Sequence, residues 1–260
     1  MKPNRLKQVQ AEGRIPVGHM ILEFNTRGMA QMMAAAGVDF VLIDTEHTGF
    51  SPADVADLLA WFKATEIAPF VRVPQIQYQF ISRALDTGAL GVMVPNVKDG
   101  AEARAIVEAA KYAPLGRRGV ILGQAQNDFK SVDPADFFAY ANQNTTVICQ
   151  IESVAGLENL AEIAATPGVD MLWVGHFDLS QSMGIPGQFE HPRFLEAMRQ
   201  VVEVGRARGL GLGIQPGNLD QAQAWLELGF NVISYNTDAF VYLNAISQAV
   251  ADLRQLTAKL

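Results

Sequence analysis

Short apolar runs recur along the chain, and amphipathic stretches of helical period fill the spaces between them. Pro16 to Leu22 predicts a first strand, and Thr26 to Ala36 a first helix stopped by Gly37. Asp39 to Ile43 is a second strand that ends at Asp44. Ser51-Pro52 opens a helix with an N-cap and a first-turn proline, continuing to about Thr65. Ala68 to Val73 is a third strand, followed by a helix from Ile76 to Asp86. Leu90 to Val94 is a fourth strand, ended by Pro95 and followed by a helix from Asp99 to Tyr112. From Ala113 to Val132 the rhythm breaks, and no period is visible until a helix at Pro134 to Asn142.

Thr146 to Ile151 and Met171-Leu172-Trp173-Val174 are the fifth and sixth strands, the latter running on to Asp178. A helix from Val154 to Ala165 and a turn at Pro167-Gly168 lie between them. A helix at Pro192 to Arg208, a strand at Gly211 to Ile214 and a helix at Leu219 to Leu228 follow. An eighth strand at Asn231 to Tyr235 and a last helix from about Ala239 to Ala258 complete the pattern. Eight strands, each followed by a helix, predict an α/β protein that is a single (β/α)8 TIM barrel spanning residues 1–260. A doubly wound open sheet is the alternative. The near-equal units and the lack of a dinucleotide fingerprint favour closure.

Composition narrows the function classes. The net charge of −7 disfavours nucleic acid and acidic membrane surfaces as partners. The only cysteine, Cys149, lies inside an apolar strand and reads as a core residue in a reducing compartment. The polar N-terminus lacks the apolar stretch of a signal peptide, and no apolar run approaches the roughly 20 residues needed to span a bilayer. The expectation is a soluble, cytoplasmic protein that engages neither nucleic acid nor membrane.

In a parallel barrel the chemistry sits at the C-terminal strand ends. Strand two ends in Asp44-Thr45-Glu46-His47, where a carboxylate beside a histidine can fix its tautomer and raise its basicity. A loop histidine bonded for structure is the plain alternative, and Glu46 is a rival base. Arg72 stands near the end of an otherwise apolar strand and needs a partner, either a neighbouring acid or an anionic substrate. Gln150 and Glu152 are two apart and therefore share a face of strand five. Glu152 and Asp178, at neighbouring strand ends, can share a hard divalent cation, or simply cap the helices that follow.

These residues carry a family resemblance. The runs FVLIDTEH (40–47), FVRV (70–73), GVMVPNV (91–97), APLGRRG (113–119), CQIES (149–153) and VGHFDLS (174–180) resemble the class II pyruvate aldolases. These are the metal-dependent 2-oxo acid aldolases of the HpcH/HpaI family, and the likeness extends from about residue 16 to residue 240. It implies reversible retro-aldol cleavage of a 4-hydroxy-2-oxo acid to pyruvate, or a related acid such as hydroxypyruvate, and an aldehyde, through an enolate on a divalent metal. Glu152 and Asp178 match the ligands for Mg2+, Mn2+ or Co2+, and Arg72 matches the arginine that stabilises the enolate. His47, held by Asp44, matches the acid–base dyad. Gln150 matches a polar residue near the ketone, and Phe177 and Asp178 belong to the turn that meets the substrate carboxylate. Where many relatives have Pro-Ala before that aspartate, this chain has His176-Phe177, which either narrows the pocket, adds a polar contact or packs on the next helix. The resemblance also implies a homo-oligomer, a hexamer built from two trimers, with the helix after Asp238 at an interface. Oxaloacetate decarboxylation, acyl-CoA lysis and non-catalytic 2-oxo acid binding are the alternatives. The aldehyde contacts are expected in the loops 113–132 and 183–191.

Overall fold

In the computed structural model, which describes residues 1–260, a short helix α1 (Arg5–Ala11) precedes β1 (Val17–Ile21) and α2 (Gly28–Ala35). Next come β2 (Phe40–Asp44), α3 (Pro52–Phe62), β3 (Ala68–Arg72), α4 (Tyr78–Asp86), β4 (Gly91–Val94) and α5 (Gly100–Ala110). A 3₁₀ turn at Ala125–Asn127 leads to α6 (Pro134–Asn144), β5 (Thr146–Ile151), α7 (Val154–Glu158), α8 (Leu160–Ala165), β6 (Met171–Val174) and α9 (His176–Ser182). The last elements are α10 (Pro192–Ala207), β7 (Gly211–Ile214), α11 (Leu219–Leu228), β8 (Val232–Thr237) and α12 (Asp238–Thr257). Neighbouring strands pair in parallel and in sequence order, and β8 pairs with β1, so the barrel closes without a free edge.

Alternation along each strand divides the apolar side chains between two cores. Val41, Ile43, Val71, Val92 and Leu172 point outward and pack under the helices. Phe40, Leu42, Phe70, Met93, Met171 and Trp173 point inward and fill the barrel. The large inward rings fit because glycines face them. Gly18 pairs with Phe40 and Gly213 with Trp173, and a Cβ at either glycine would overlap the ring opposite. The floor is closed by α1, whose Leu6 and Val9 are buried. Lys7 and Lys111 hold that end together on Asp170, at 2.7 and 3.2 Å.

The predicted order of elements is the observed one, with specific corrections. Helix α1 was not legible, because its buried face consists of only Leu6 and Val9 in an otherwise polar stretch. Strand six stops at Val174 rather than reaching Asp178, since α9 begins at His176. The helix over 154–165 is broken at Asn159, whose side chain bonds the carbonyls of Lys98 and Ala155. Ser51 caps α3 as expected, and Asp54 closes a capping box with it.

The segment 113–132 is irregular apart from its 3₁₀ turn, and none of its residues lines the cavity that holds Arg72 and Asp178. Lys63 and the N-terminal ammonium both hold Asp128, at 2.7 Å each, and Arg118 holds Asp86 at 2.6 Å. No helix is long and apolar enough to cross a membrane.

The glycine–ring fit makes a direct prediction. Gly213→Ala drives a methyl group into Trp173 and is expected to cost about 1–3 kcal/mol. Gly49→Ala, where a Cβ meets open space, is the control. Thermal unfolding should show a lowered midpoint for the first substitution and none for the second.

Candidate active site

The site starts from a pair of neighbouring strand ends. Asp44 and Arg72 are register partners across β2 and β3, so strand pairing alone brings their side chains together. Arg72 Nε donates to Asp44 Oδ1 at 2.7 Å and Nη2 to Oδ2 at 2.8 Å, a planar two-pronged contact. Asp44 is fully buried and also accepts the backbone N–H groups of Glu46 and His47, at 3.0 and 3.2 Å. Burial works against the Arg72 charge, but the hydrogen bonds and charge of Asp44, helped by Glu46 and Glu152, outweigh it and hold the pKa up.

This geometry corrects one detail of the sequence reading. Asp44 holds His47 by its backbone and does not bond its imidazole. Its oxygens are filled by Arg72 and two amides. The carboxylate near the imidazole is Glu46, with Oε2 3.7 Å from His47 Nε2 and 3.3 Å from Arg72 Nη1. The His47 side chain is 62% exposed. Burial pushes the Glu46 pKa up, against the pull of Arg72 and His47. Thr48 Oγ1 donates to the Asp44 carbonyl at 2.8 Å and Thr45 Oγ1 to the Arg72 carbonyl at 2.6 Å, which fixes the turn between them.

Glu152 is assembled from three strands. It follows the end of β5, where Gln150 Nε2 donates to its Oε2. From the end of β4, the N–H of Asn96 donates to Oε1 at 2.6 Å. Asn96 holds φ at 50°, a left-handed conformation that asparagine tolerates better than most residues. From β6, Gly175 passes so close that a Cβ there would overlap both Glu152 and Gln150. Sequence reasoning did not single out Asn96 or Gly175. The Pro95-Asn96 break and the glycine after Val174 are the signals that mark them. Burial first, then the negative charges of Glu46 and Asp178, push the Glu152 pKa up to about 7.

Asp178 lies in the first turn of α9, exposed, and no side chain caps that helix. Ser153 caps α7, so neither Glu152 nor Asp178 is a helix cap. A cavity of about 580 Å³ opens here, with Arg72, Gln150, Phe177 and Asp178 in its wall. His176 is taken up by aromatic neighbours: Phe177, Trp225 and Phe189 lie 4.7, 4.9 and 5.0 Å from its ring. Burial among them lowers its pKa to about 4. Of the two loops expected to meet the aldehyde, 183–191 reaches the cavity through Phe189, and 113–132 does not.

The residues present fit a hydrated metal ion better than a fully caged one. No three His, Cys, Asp or Glu side chains converge as a ready cage. Two carboxylates nevertheless suit a hard cation that keeps several waters. Three acids, Asp44, Glu46 and Glu152, act on one guanidinium, and Asp178 adds its charge beside Glu152, which is protonated more easily than an ordinary carboxyl; Gln150 Oε1 is buried without a hydrogen-bond partner. A cation beside Glu152 and Asp178 relieves the repulsion between them.

The sequence profile of the HpcH/HpaI aldolase/citrate lyase family matches residues 20–245. The chain belongs to this family. It is a carbon–carbon lyase of the HpcH/HpaI aldolase type. A 5-keto-4-deoxy-D-glucarate aldolase of Shigella boydii serotype 18 is 33% identical over 253 residues, covering 96% of both chains. The crystal structure of an HpcH/HpaI aldolase from Desulfitobacterium hafniense DCB-2 superposes with a TM-score of 0.91 at 30% identity, covering 96% of each chain. A citrate synthase, SbnG, superposes at 0.87 with 30% identity over 98% of this chain and 99% of its own.

A pH dependence follows from Glu152. Its pKa in the folded protein is raised to about 7, above the ordinary 4.5, so the folded state holds the extra proton between those values. Its contribution to stability is therefore full below pH 4.5 and lost as the pH rises through 7. With chelator present, Glu152→Gln is expected to stabilise the protein at pH 8 by about 1–3 kcal/mol, and to change little at pH 4.5. Thermal midpoints of both proteins at the two pH values check this.

Proposed function

We propose that this HpcH/HpaI-family lyase, with residues 1–260 acting as one domain, cleaves 4-hydroxy-2-oxo acids to an aldehyde and pyruvate, or a close relative such as hydroxypyruvate. The observation that carries the reading is the gathering of Asp44, Glu46 and Glu152 on Arg72, with Asp178 beside Glu152, at one barrel mouth. The family generally depends on a divalent metal. In this reading Glu152 and Asp178 hold Mg2+, Mn2+ or Co2+, which when bound supplies Lewis-acid polarisation of the 2-oxo group.

The remaining chemistry belongs to the chain's own side chains. Arg72 donates to the ketone oxygen as negative charge develops there, and Asp44 has already aimed its guanidinium, so no reorganisation is needed during reaction. Gln150 lies beside the same oxygen and orients Glu152. His47 takes the proton of the C4 hydroxyl, and Glu46 steadies the imidazolium that results. As the C3–C4 bond breaks, C4 leaves as the aldehyde and the bonding pair becomes the enolate, which is protonated at C3. Phe177, exposed at the turn before Asp178, closes one side of the substrate space. The likeness to a citrate synthase favours a second reading, in which the same site makes a carbon–carbon bond.

The test is pyruvate release from a panel of 4-hydroxy-2-oxo acids, 5-keto-4-deoxy-D-glucarate and oxaloacetate included. Release should vanish with chelator and return with Mn2+, Co2+ or Mg2+. Full activity in metal-free protein overturns the reading. His47→Ala should depress cleavage by about 10²–10⁴, and oxaloacetate decarboxylation, which needs no base to take a proton first, far less. If Glu46→Gln abolishes cleavage while His47→Ala retains it, the carboxylate is the base.

The chain is further proposed to act as a homo-oligomer, a hexamer by its resemblance to the family. Only Asp238 of α12 is buried, while Phe240, Tyr242, Leu243, Ile246, Leu253 and Leu256 are exposed. Sedimentation should find a multimer, and Leu253→Glu a smaller particle. A monomer at micromolar concentration refutes this.

A further inference from the structure

The cavity at the active site has two unlike halves. The half formed by β2 to β6 carries every charged group that it contains, Arg72 and Asp178. The half formed by the loops after β7 and β8 is neutral, with Gln215, Asn218, Gln221 and Asn236 in its wall. Facing these amides are Phe177, 62% exposed, and Phe189, whose ring lies 5.0 Å from that of Phe177 at nearly a right angle. One wall is therefore amide and the other aromatic.

The amides are held in place, and their remaining hydrogen-bonding groups can be identified. Gln215 Nε2 donates to the Asn236 carbonyl at 3.0 Å, which leaves Oε1 as a free acceptor. Gln221 Oε1 accepts from the Gly217 N–H at 2.8 Å, which leaves Nε2 as a free donor. Asn218 Oδ1 accepts from the Gln221 N–H at 2.8 Å, and its Nδ2 is likewise free. Asn236 is spent on backbone groups: Nδ2 donates to the Gly217 carbonyl of the neighbouring loop at 2.9 Å, and Oδ1 accepts from the adjacent Thr237 N–H at 2.8 Å. Two fixed donors and a fixed acceptor are left.

We propose that this half of the cavity is the aldehyde subsite, and that it selects short, uncharged, hydroxylated aldehydes over acidic or purely alkyl ones. The inference rests on the aldolase reading and deepens it. A hydroxyl both donates and accepts, so a vicinal pair uses Gln215 Oε1 and the amide donors together. The C–H face of the same chain lies on the Phe177 ring. A carboxylate on the aldehyde meets no fixed cation here, because Arg72 is held by Asp44 and Glu46 and the surrounding acids repel a further negative charge. An alkyl aldehyde covers these partly exposed amides without pairing them, a cost that a hydroxylated aldehyde avoids. The volume, about 580 Å³, suits a sugar-sized substrate.

The experiment is aldol addition of pyruvate, with Mn2+, to glycolaldehyde, glyceraldehyde, propanal, glyoxylate and succinic semialdehyde, comparing kcat/KM. Glyceraldehyde should exceed propanal and succinic semialdehyde by roughly tenfold or more. Gln215→Leu should lower the glyceraldehyde-to-propanal ratio roughly 3–10-fold, the worth of one hydrogen bond. Gln221→Lys places a cation in the neutral wall and should raise the ratio of succinic semialdehyde to glyceraldehyde, a gain that misfolding cannot imitate. Equal or preferred use of the acidic aldehydes by the native enzyme overturns the inference alone, as do ratios that neither substitution moves. Failure to add any aldehyde, together with no pyruvate release from any 4-hydroxy-2-oxo acid, overturns the aldolase reading beneath it.

Discussion

The bidentate contact between Asp44 and Arg72 is the constraint on which the site depends. A buried ion pair is seldom a source of net stability, because the desolvation of both charges offsets their attraction. Here it supplies position. The two residues are paired in register across β2 and β3, so the geometry of a parallel sheet sets their separation before any side chain chooses a rotamer. Asp44 then uses its remaining lone pairs on the Glu46 and His47 amides, which hangs the following turn from the same carboxylate. Removing that carboxylate would leave a guanidinium buried without its main partner and a loop without its anchor. A cation that must face a substrate without drifting toward the nearest acid is thus tethered to one acid in advance.

The second constraint is an excess of negative charge. Once Asp44 has taken the two prongs of Arg72, Glu46 and Glu152 share what is left of its field, and Asp178 adds a further negative charge beside them. Glu152 bears the largest consequence, because it is the most buried of the three. Three strands converge on it, through the Asn96 amide, the Gln150 side chain and the space left by Gly175. Such convergence on one carboxylate makes sense if its orientation matters more than its comfort. The proposed role of Glu152 as a metal ligand makes that demand on orientation.

Much of this was legible in the sequence, and the reasons are specific. The strands were visible because residues such as 40–43 and 147–149 are apolar on both faces, as strands must be when helices cover one face and the barrel interior takes the other. Asp44, Arg72, Glu152 and Asp178 stood out because each interrupts or ends such a run. The contacts among them were not legible. Register across two strands separated by a helix decides that Asp44 meets Arg72 rather than the His47 ring, and no local pattern encodes that register. Helix α1 was hidden for a different reason: its two buried residues gain their meaning from the barrel floor they cover. The amide wall was hidden because Gln215, Asn218 and Gln221 lie where loops normally carry polar residues, and only the cavity separates them from ordinary solvent-facing amides.

The division of the barrel mouth has a consequence for how such a site can change. The groups proposed to handle the oxo acid sit at the ends of β2, β3, β5 and at the start of α9, and they are coupled through Arg72 and Glu152. Altering one perturbs the others, since charge interactions in a partly buried cluster are long-ranged and shared. The loops after β7 and β8 hold their amides by hydrogen bonds to backbone groups of the same loop or of each other. Their link to the acid cluster is the cavity itself. With the aldehyde subsite placed there as proposed, substitutions in these loops exchange one aldehyde for another with little effect on the proposed enolate chemistry. A fold that fixes one half of its active site by electrostatics and the other by local loop geometry can therefore conserve a reaction while changing its partner.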